Sequence, residues 1–94
     1  MRRGSLVACV VYSSAVCPKC ELLKRYLQEH NIEHSVRLVE DAEARVDALM
    51  LSIYSTPAIV LGTAVLQQSE LFKRERLNEA ALLAFLRRQG HVEA

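Results

Sequence analysis

Two cysteines separated by two residues are the part of this chain whose type and spacing suit chemistry best. The segment reads Cys17-Pro18-Lys19-Cys20 and lies between an apolar run and a stretch of helical period. This placement puts the Cys17 sulfur at a helix N-cap, where free backbone amides and the helix dipole stabilise a thiolate. Cys20, at about the third helical position, lacks that array of amides. The spacing therefore predicts a redox pair in which Cys17 is the nucleophile and Cys20 the resolving thiol.

The two residues between the sulfurs fit this interpretation. Pro18 is expected at the first helical position, where its missing N–H is not needed and its fixed φ suits a helix start. Lys19 adds a positive charge next to the thiolate. Alpha carbons one helical turn apart lie about 5 to 6 Å from each other, which is within range of an intramolecular disulfide. We therefore expect the pair to cycle between dithiol and disulfide with little backbone movement.

The same cysteines also permit other functions, which stay open at this point. With His30 and His34 they spell C-x2-C-x9-H-x3-H, close to a zinc finger but shorter than its usual inner spacing of about 12 residues. One helix over residues 18–30 separates His30 from Cys20 by roughly 15 Å, so we do not expect these four residues to share a metal ion. The remaining alternatives are zinc on the cysteine pair, an iron–sulfur cluster that bridges two chains through Cys17, and a redox-inactive docking domain with idle cysteines.

The elements that must position these residues follow from the hydrophobic period. Short apolar, β-branched runs predict strands at residues 6–12, 35–39, 58–61 and 64–66. Helical spacing predicts helices from Pro18 to about His30, from the N-cap Asp41 to about Ser52, and from the N-cap Asn78 to about Gly90. A single helical turn is expected at 69–73. Each helix is expected to bury an apolar stripe: Leu22, Leu23, Tyr26 and Leu27 in the first, Val46, Leu49, Met50 and Ile53 in the second, and Leu82, Leu83, Phe85 and Leu86 in the last.

In chain order these elements read βαβαββα. They predict an α/β domain with a mixed four-stranded sheet and helices on both faces. The helix between the first two strands predicts that those strands pair in parallel, and Gly62-Thr63 predicts a tight type II′ hairpin between the last two. We expect a single domain over residues 1–94, with its core at about residues 5–90.

Composition narrows the class of protein. The 94 residues include twelve basic and eleven acidic side chains, a balance that predicts no nucleic-acid partner. No apolar run reaches the roughly 20 residues of a membrane span. Three cysteines are too few for a secreted disulfide framework, so a reducing, cytoplasmic location is expected, with Cys9 as a packed hydrophobic residue.

The amino terminus superficially resembles a secretory signal, with Arg2-Arg3, an apolar stretch and Ser13-Ser14-Ala15. Its apolar stretch is short for a secretory core, and cleavage there removes the segment that leads into the cysteine pair. A buried first strand is therefore the expected structure.

A second motif distinguishes redox chemistry from chance. Thr56-Pro57 immediately precedes the third strand, about forty residues past the cysteines. With Cys-Pro-x-Cys after the first strand, this pattern resembles the thioredoxin superfamily over about residues 5–90. The run from Val11 to Cys20 resembles glutaredoxins, and the run from Tyr54 to Val60 also resembles small thioredoxin-like redox proteins.

The resemblance implies a thioredoxin fold and a dithiol–disulfide oxidoreductase that carries electrons without a bound cofactor. It implies that Pro57 is cis beside the disulfide, and that the backbone of Thr56 pairs with a substrate's main chain. Tyr12 ends the first strand near the site and is a further candidate contact for substrate, together with Pro18 and Lys19. The implied partners are a disulfide-containing protein substrate and an electron donor, and a monomer is expected.

The identity of the donor is less determined. Glutaredoxins often carry a lysine three residues before the first cysteine, where this chain has Ser14. They commonly have Gly-Gly and an acidic residue after the fourth strand, where this chain reads Gln67-Gln68-Ser69-Glu70. The usual contacts for glutathione are thus partly missing, and either glutathione or a reductase is the expected donor.

Overall fold

The structure, a computed structural model, describes residues 8–90. Its elements in chain order are β1 (Cys9–Ser13), α1 (Pro18–Glu29), β2 (Ser35–Leu38), α2 (Ala42–Met50), β3 (Ala58–Leu61), β4 (Ala64–Leu66), α3 (Gln68–Leu71), β5 (Phe72–Lys73), β6 (Arg76–Leu77) and α4 (Glu79–Arg88). The predicted order is present, with additional short elements before the last helix. Residues 6 and 7 of the predicted first strand, and the arginine pair of the signal-like segment, lie outside the described residues.

Strands β1 to β4 form one mixed sheet in the order β2-β1-β3-β4. β1 pairs with β2 in parallel, with Tyr12 opposite Arg37, which confirms the parallel pairing predicted for these two strands. β3 is antiparallel to β1, and β4 is antiparallel to β3. Because β1 is a central strand, its carboxyl end leads the chain from the middle of the sheet directly into the start of α1.

One face of the sheet is covered by α1 and α4. Their buried side chains are large, and they pack with Cys9 and Val11 of β1 and with apolar residues of β3 and β4. The helical residues in this core are Leu23, Tyr26, Leu27, Leu82, Phe85 and Leu86. The predicted stripes of α1 and α4 contain these residues, although Leu22 is 40% exposed and Leu83 is only half-buried. Large apolar residues at helical spacing thus identify this face correctly.

The opposite face is covered by α2, and here the predicted stripe was wrong. Only Ile53, which lies beyond the helix, is buried, whereas Val46, Leu49 and Met50 are 55%, 53% and 80% exposed. The helix turns Ala44 and Ala48 toward the sheet instead. Small side chains contribute little to an apolar pattern, so the larger residues on the other side of the helix dominated it.

The short hairpin of β5 and β6 is the element that the sequence did not predict. Phe72 pairs with Leu77 and Lys73 with Arg76, and Arg74 has a φ of 58° in the turn. Two-residue strands are too short to show a period of two, and the charged run at the turn is typical of a solvated loop. The helical turn expected at 69–73 is present as α3, one residue earlier and shorter.

Gly62 and Asn78 adopt the geometry expected for a turn and a cap residue, whereas Asp41 lies at the predicted N-cap of α2 without a side-chain capping hydrogen bond. Gly62 has a φ of 64° between the paired residues Leu61 and Ala64, as the hairpin prediction requires. The Asn78 side chain accepts a hydrogen bond from the backbone N–H of Ala81 at 3.2 Å and so caps α4. Within residues 8–90, no helix has both the length and the apolar character needed to cross a membrane.

Candidate active site

The first helix begins at the two cysteines. Cys17 is its N-cap, in extended backbone conformation, and Pro18 follows at the first helical position. The Cys17 sulfur accepts a hydrogen bond from the backbone N–H of Cys20 at 3.1 Å. The two cysteines are paired as a disulfide, with α-carbons 5.2 Å apart. The predicted N-cap position and the predicted α-carbon spacing are both confirmed.

The two sulfurs differ in accessibility. Cys20 is fully buried under the first turn, whereas Cys17 is half-buried at the helix start. Val16, which precedes it, is 91% exposed. A molecule that approaches the disulfide from solvent therefore reaches Cys17, and Cys20 is available only to a sulfur already bound there.

Thr56 and Pro57 lie beside the disulfide. The peptide bond between them is cis, as predicted, and Pro57 is buried. The Thr56 carbonyl oxygen lies 3.9 Å from the Cys17 sulfur, and the Thr56 hydroxyl donates to the same sulfur at 3.8 Å. The fold thus brings together residues that are 39 positions apart in the chain.

The loop between β1 and α1 is held by two contacts that the sequence did not predict. The Ser14 hydroxyl lies 3.2 Å from the Thr56 hydroxyl, and the backbone N–H of Ala15 donates to the Glu40 carboxylate at 3.0 Å. Sequence reasoning noted Ser14 only as a departure from the glutaredoxin pattern and did not consider Glu40. The first contact joins residues separated by 42 positions and the second joins residues separated by 25. No local sequence signal reveals contacts over such separations.

Lys19 and Tyr12, also predicted to contact substrate, interact with side chains outside the disulfide and the Thr56-Pro57 segment. The Lys19 ammonium lies 5.7 Å from the centre of the Phe72 ring, a cation–π distance. The Tyr12 ring is buried on the α2 face, and its hydroxyl accepts a hydrogen bond from Arg37 at 3.1 Å. Arg37 also pairs with Asp47 at 2.6 Å. The described contacts of Tyr12 are therefore structural, and its role toward substrate stays a prediction.

The Arg37 guanidinium is held between two acceptors. Hydrogen bonding to Asp47 and then to Tyr12 raises the pKa of Arg37 above its already high ordinary value, so the group stays charged. It ties β1, β2 and α2 together at the sheet edge.

The segment that stands where glutaredoxins have Gly-Gly and an acid is closed on itself. The backbone N–H of Gln67 donates to the Glu70 carboxylate at 3.0 Å, and the Gln67 side-chain amide donates to the Ser52 carbonyl at 3.1 Å. Two donors of the segment that replaces the usual glutathione contacts of glutaredoxins are thus already engaged within the protein.

Within residues 8–90, the third cysteine and the two histidines are engaged away from the disulfide. Cys9 is buried in β1, as predicted, and burial raises its pKa to about 11. The Nδ1 atoms of His30 and His34 contact the backbone carbonyls of Tyr26 and Ile32. Among residues 8–90, no three His, Cys, Asp or Glu side chains are grouped so as to hold a metal ion.

A groove borders the site on the side of Thr56. Its walls come from α2 and the loops on either side of that helix, and they include Glu40, Leu49, Tyr54 and Ser55. Tyr54 is 77% exposed. The groove offers apolar and polar surface directly next to the residue that precedes the cis-proline.

Comparison with known proteins agrees with this geometry. A protein-family model described as glutaredoxin matches residues 9–65, more than half of the chain. Among solved structures, the thioredoxin-like protein BC3987 is 28% identical, with a TM-score of 0.67, and the match covers 83% of this chain and 99% of that one. A point mutant of the same protein matches with the same identity and score, over 97% of its length. No curated protein matches the chain.

Proposed function

Because the chain belongs to the glutaredoxin family, whose members are thiol–disulfide oxidoreductases, we propose that it transfers electrons to disulfide-containing proteins through Cys17 and Cys20. The observation that carries the proposal is the position of the Cys17 sulfur. It caps the first helix, accepts the Cys20 N–H at 3.1 Å and is the more accessible member of the disulfide.

The helix N-terminus supplies the electrostatics of the reaction. When the disulfide is reduced, a thiolate at Cys17 takes the place of the neutral sulfur that now accepts the Cys20 N–H. Unpaired amides and the positive end of the helix dipole favour that charge. Cysteines in such positions have pKa values of about 3.5 to 7.5. We therefore expect Cys17 to be largely ionised at neutral pH, ready to attack a disulfide.

The reaction proceeds by two exchanges. The Cys17 thiolate attacks one sulfur of the target disulfide, which forms a mixed disulfide and releases the other target sulfur as a thiolate that takes up a proton. Cys20 then loses its proton and attacks the Cys17 sulfur, which releases the second target thiol and forms the Cys17–Cys20 disulfide. Two electrons pass from the dithiol to the target, and a donor thiol must return them.

Thr56 and the groove beside it are the proposed binding site for the target. An extended segment can pair with the backbone of Thr56 in the manner of an added strand. Pro57, and Pro18 and Lys19 between the two cysteines, are the further proposed contacts for the target. In this proposal the protein acts as a monomer in the cytoplasm and needs no bound cofactor.

The cysteine roles are tested with single variants in an insulin-reduction assay. Cys17→Ser is expected to abolish activity, because the attacking sulfur is lost. Cys20→Ser is expected to accumulate mixed disulfides with target, visible by mass spectrometry, because the resolving step is lost. Cys9→Ser is the matched control, since its sulfur is buried, and should retain activity. Full activity in Cys17→Ser contradicts the proposal.

The donor is tested by supplying the oxidised protein with glutathione, with a thioredoxin reductase or with a ferredoxin-dependent reductase, and measuring its reduction. We expect slow reduction by glutathione, because two N–H donors that could bind it are already engaged. The Gln67 backbone N–H is bonded to Glu70, and the Gln67 side-chain amide is bonded to Ser52. Rapid reduction by glutathione at micromolar concentration would show that other residues replace those contacts.

A further inference from the structure

Two hydroxyl oxygens and one sulfur form a row of contacts from the β1–α1 loop to the disulfide. The Ser14 hydroxyl lies 3.2 Å from the Thr56 hydroxyl, which in turn lies 3.8 Å from the Cys17 sulfur. Ser14 and Thr56 are both half-buried, so neither hydroxyl is fully solvated. The observed contacts thus link Ser14 to the sulfur through the Thr56 hydroxyl.

We propose that Ser14 is a positioning residue whose hydroxyl donates to Thr56 and so directs the single Thr56 hydrogen to the Cys17 sulfur in its thiolate state. The direction follows from counting hydrogens. A threonine hydroxyl has one hydrogen and two acceptor lone pairs. If that hydrogen is given to the sulfur, the contact with Ser14 requires the hydrogen of Ser14. The order of donation is therefore Ser14 to Thr56 to Cys17.

Such a chain discriminates between the two protonation states of Cys17. A thiolate accepts the Thr56 hydrogen strongly, and linked hydrogen bonds polarise one another. A neutral thiol is a weak acceptor and can instead give its own hydrogen to the Thr56 carbonyl, 3.9 Å away. Hydrogen bonding to the charged form favours that form. The chain thus adds to the Cys20 N–H as a second, side-chain source of thiolate stabilisation.

The charged side chains nearest in sequence to this row are engaged elsewhere. On α1, Glu21 pairs with Lys24 and the Lys19 ammonium lies over the Phe72 ring. From the loop after β2, Glu40 accepts the Ala15 N–H. The segment from Ser52 to Leu61 that carries Thr56 contains no charged side chain. Within residues 8–90, the polar groups that contact the Cys17 sulfur are the Thr56 hydroxyl, the Thr56 carbonyl and the Cys20 amide.

The inference deepens the proposed function and rests on it, because it assigns residues that tune the proposed nucleophile. The test measures the Cys17 pKa from the ultraviolet absorbance of the thiolate in full-length Cys20→Ser protein, in which burial raises the pKa of the other cysteine, Cys9, to about 11. Thr56→Val is expected to raise the Cys17 pKa by about one unit, and Ser14→Ala by about half a unit. The double variant should match Thr56→Val alone, because Ser14 acts through Thr56.

Two further variants separate hydrogen bonding from shape. Ser14→Thr retains a hydroxyl and should retain the original pKa, whereas Ser55→Ala removes an exposed hydroxyl next to Thr56 and should leave it unchanged. In protein with both cysteines, Ser14→Ala should make the pair more reducing, because loss of thiolate stabilisation destabilises the reduced state. A purely structural role for Ser14 does not predict rescue by threonine together with a change in potential.

The outcomes distinguish failure of this inference from failure of the proposed function. A Cys17 pKa near that of a free thiol in the parent protein contradicts the proposed nucleophile. A low parent pKa that Ser14→Ala does not change leaves the function intact and overturns the role of Ser14. Equal, additive shifts from Ser14→Ala and Thr56→Val show that Ser14 acts independently and also overturn the chain.

Discussion

The two faces of the sheet are packed by helices of different kinds. Under α1 and α4 the core is built from leucine, phenylalanine and tyrosine, and Leu23 and Leu82 are fully buried. Under α2 the contact is made by Ala44 and Ala48 against Tyr12, Ala58 and Val60. The first face gains stability from large apolar side chains, whereas the second presents small ones to the sheet.

The outer surface of α2 shows the consequence. Its larger apolar residues are more than half exposed, and they are Val46, Leu49 and Met50. An apolar side chain contributes to folding through the area that leaves water, so these residues contribute much less than their types suggest. The difference between the faces teaches that residue size decides which side of a helix looks buried in a sequence, and packing decides which side is buried.

The largest expected effect compares one substitution on both faces. Leu23→Ala removes a fully buried side chain and should lower the free energy of unfolding by about 2 to 5 kcal/mol. Leu49→Ala, at a position 53% exposed, should lower it by less than about 1 kcal/mol. Urea unfolding followed by circular dichroism measures both. Equal losses at the two positions would mean that α2 buries Leu49 in solution and would restore the predicted stripe.

The fold itself was largely predictable because its main elements have local signals. The buried strands, the proline at the helix start, Gly62 and the Asn78 cap each impose a local conformation that the residue type reveals. The orientation of α2 was not predictable in this way. Its buried face consists of alanines, which are common on either side of a helix, and only the neighbouring sheet determines which side they occupy.

The second prediction tests how closely the alanine face is packed. Ala48→Leu inserts a larger side chain where the exposed fraction is 3%, and overpacking of this kind should destabilise the protein by about 1 to 3 kcal/mol. Ala42→Leu, at an exposed position of the same helix, is the matched control and should change stability by less than about 0.5 kcal/mol. If Ala48→Leu left the stability unchanged, this would indicate unfilled space between α2 and the sheet.

The candidate site likewise contains residues that the sequence predicts and contacts that it does not. Cys17, Cys20 and the cis Pro57 were predictable, because the spacing of the cysteines on a helix and the Thr-Pro motif are visible along the chain. The contact of Ser14 with Thr56 and that of Ala15 with Glu40 were not, since each joins two loops through side-chain or backbone groups of ordinary type. These contacts form because the sheet brings the loops after β1 and β2 and the loop before β3 to the same end of its strands.

The smallest expected effect compares the N-caps of the helices on the two faces. Asn78 accepts the Ala81 N–H through its side chain, whereas Asp41 caps α2 without a side-chain hydrogen bond. Asn78→Ala should therefore lower the free energy of unfolding by about 1 kcal/mol. Asp41→Ala should lower it by about 0.5 kcal/mol or less, because only the favourable charge at the helix start is lost. Thermal or urea unfolding at low and high salt separates the two, since the Asp41 effect should diminish with salt and the Asn78 effect should persist. A salt-independent loss of about 1 kcal/mol at Asp41 would show that its carboxylate caps α2 in solution, and the two helices would then differ in their buried faces alone.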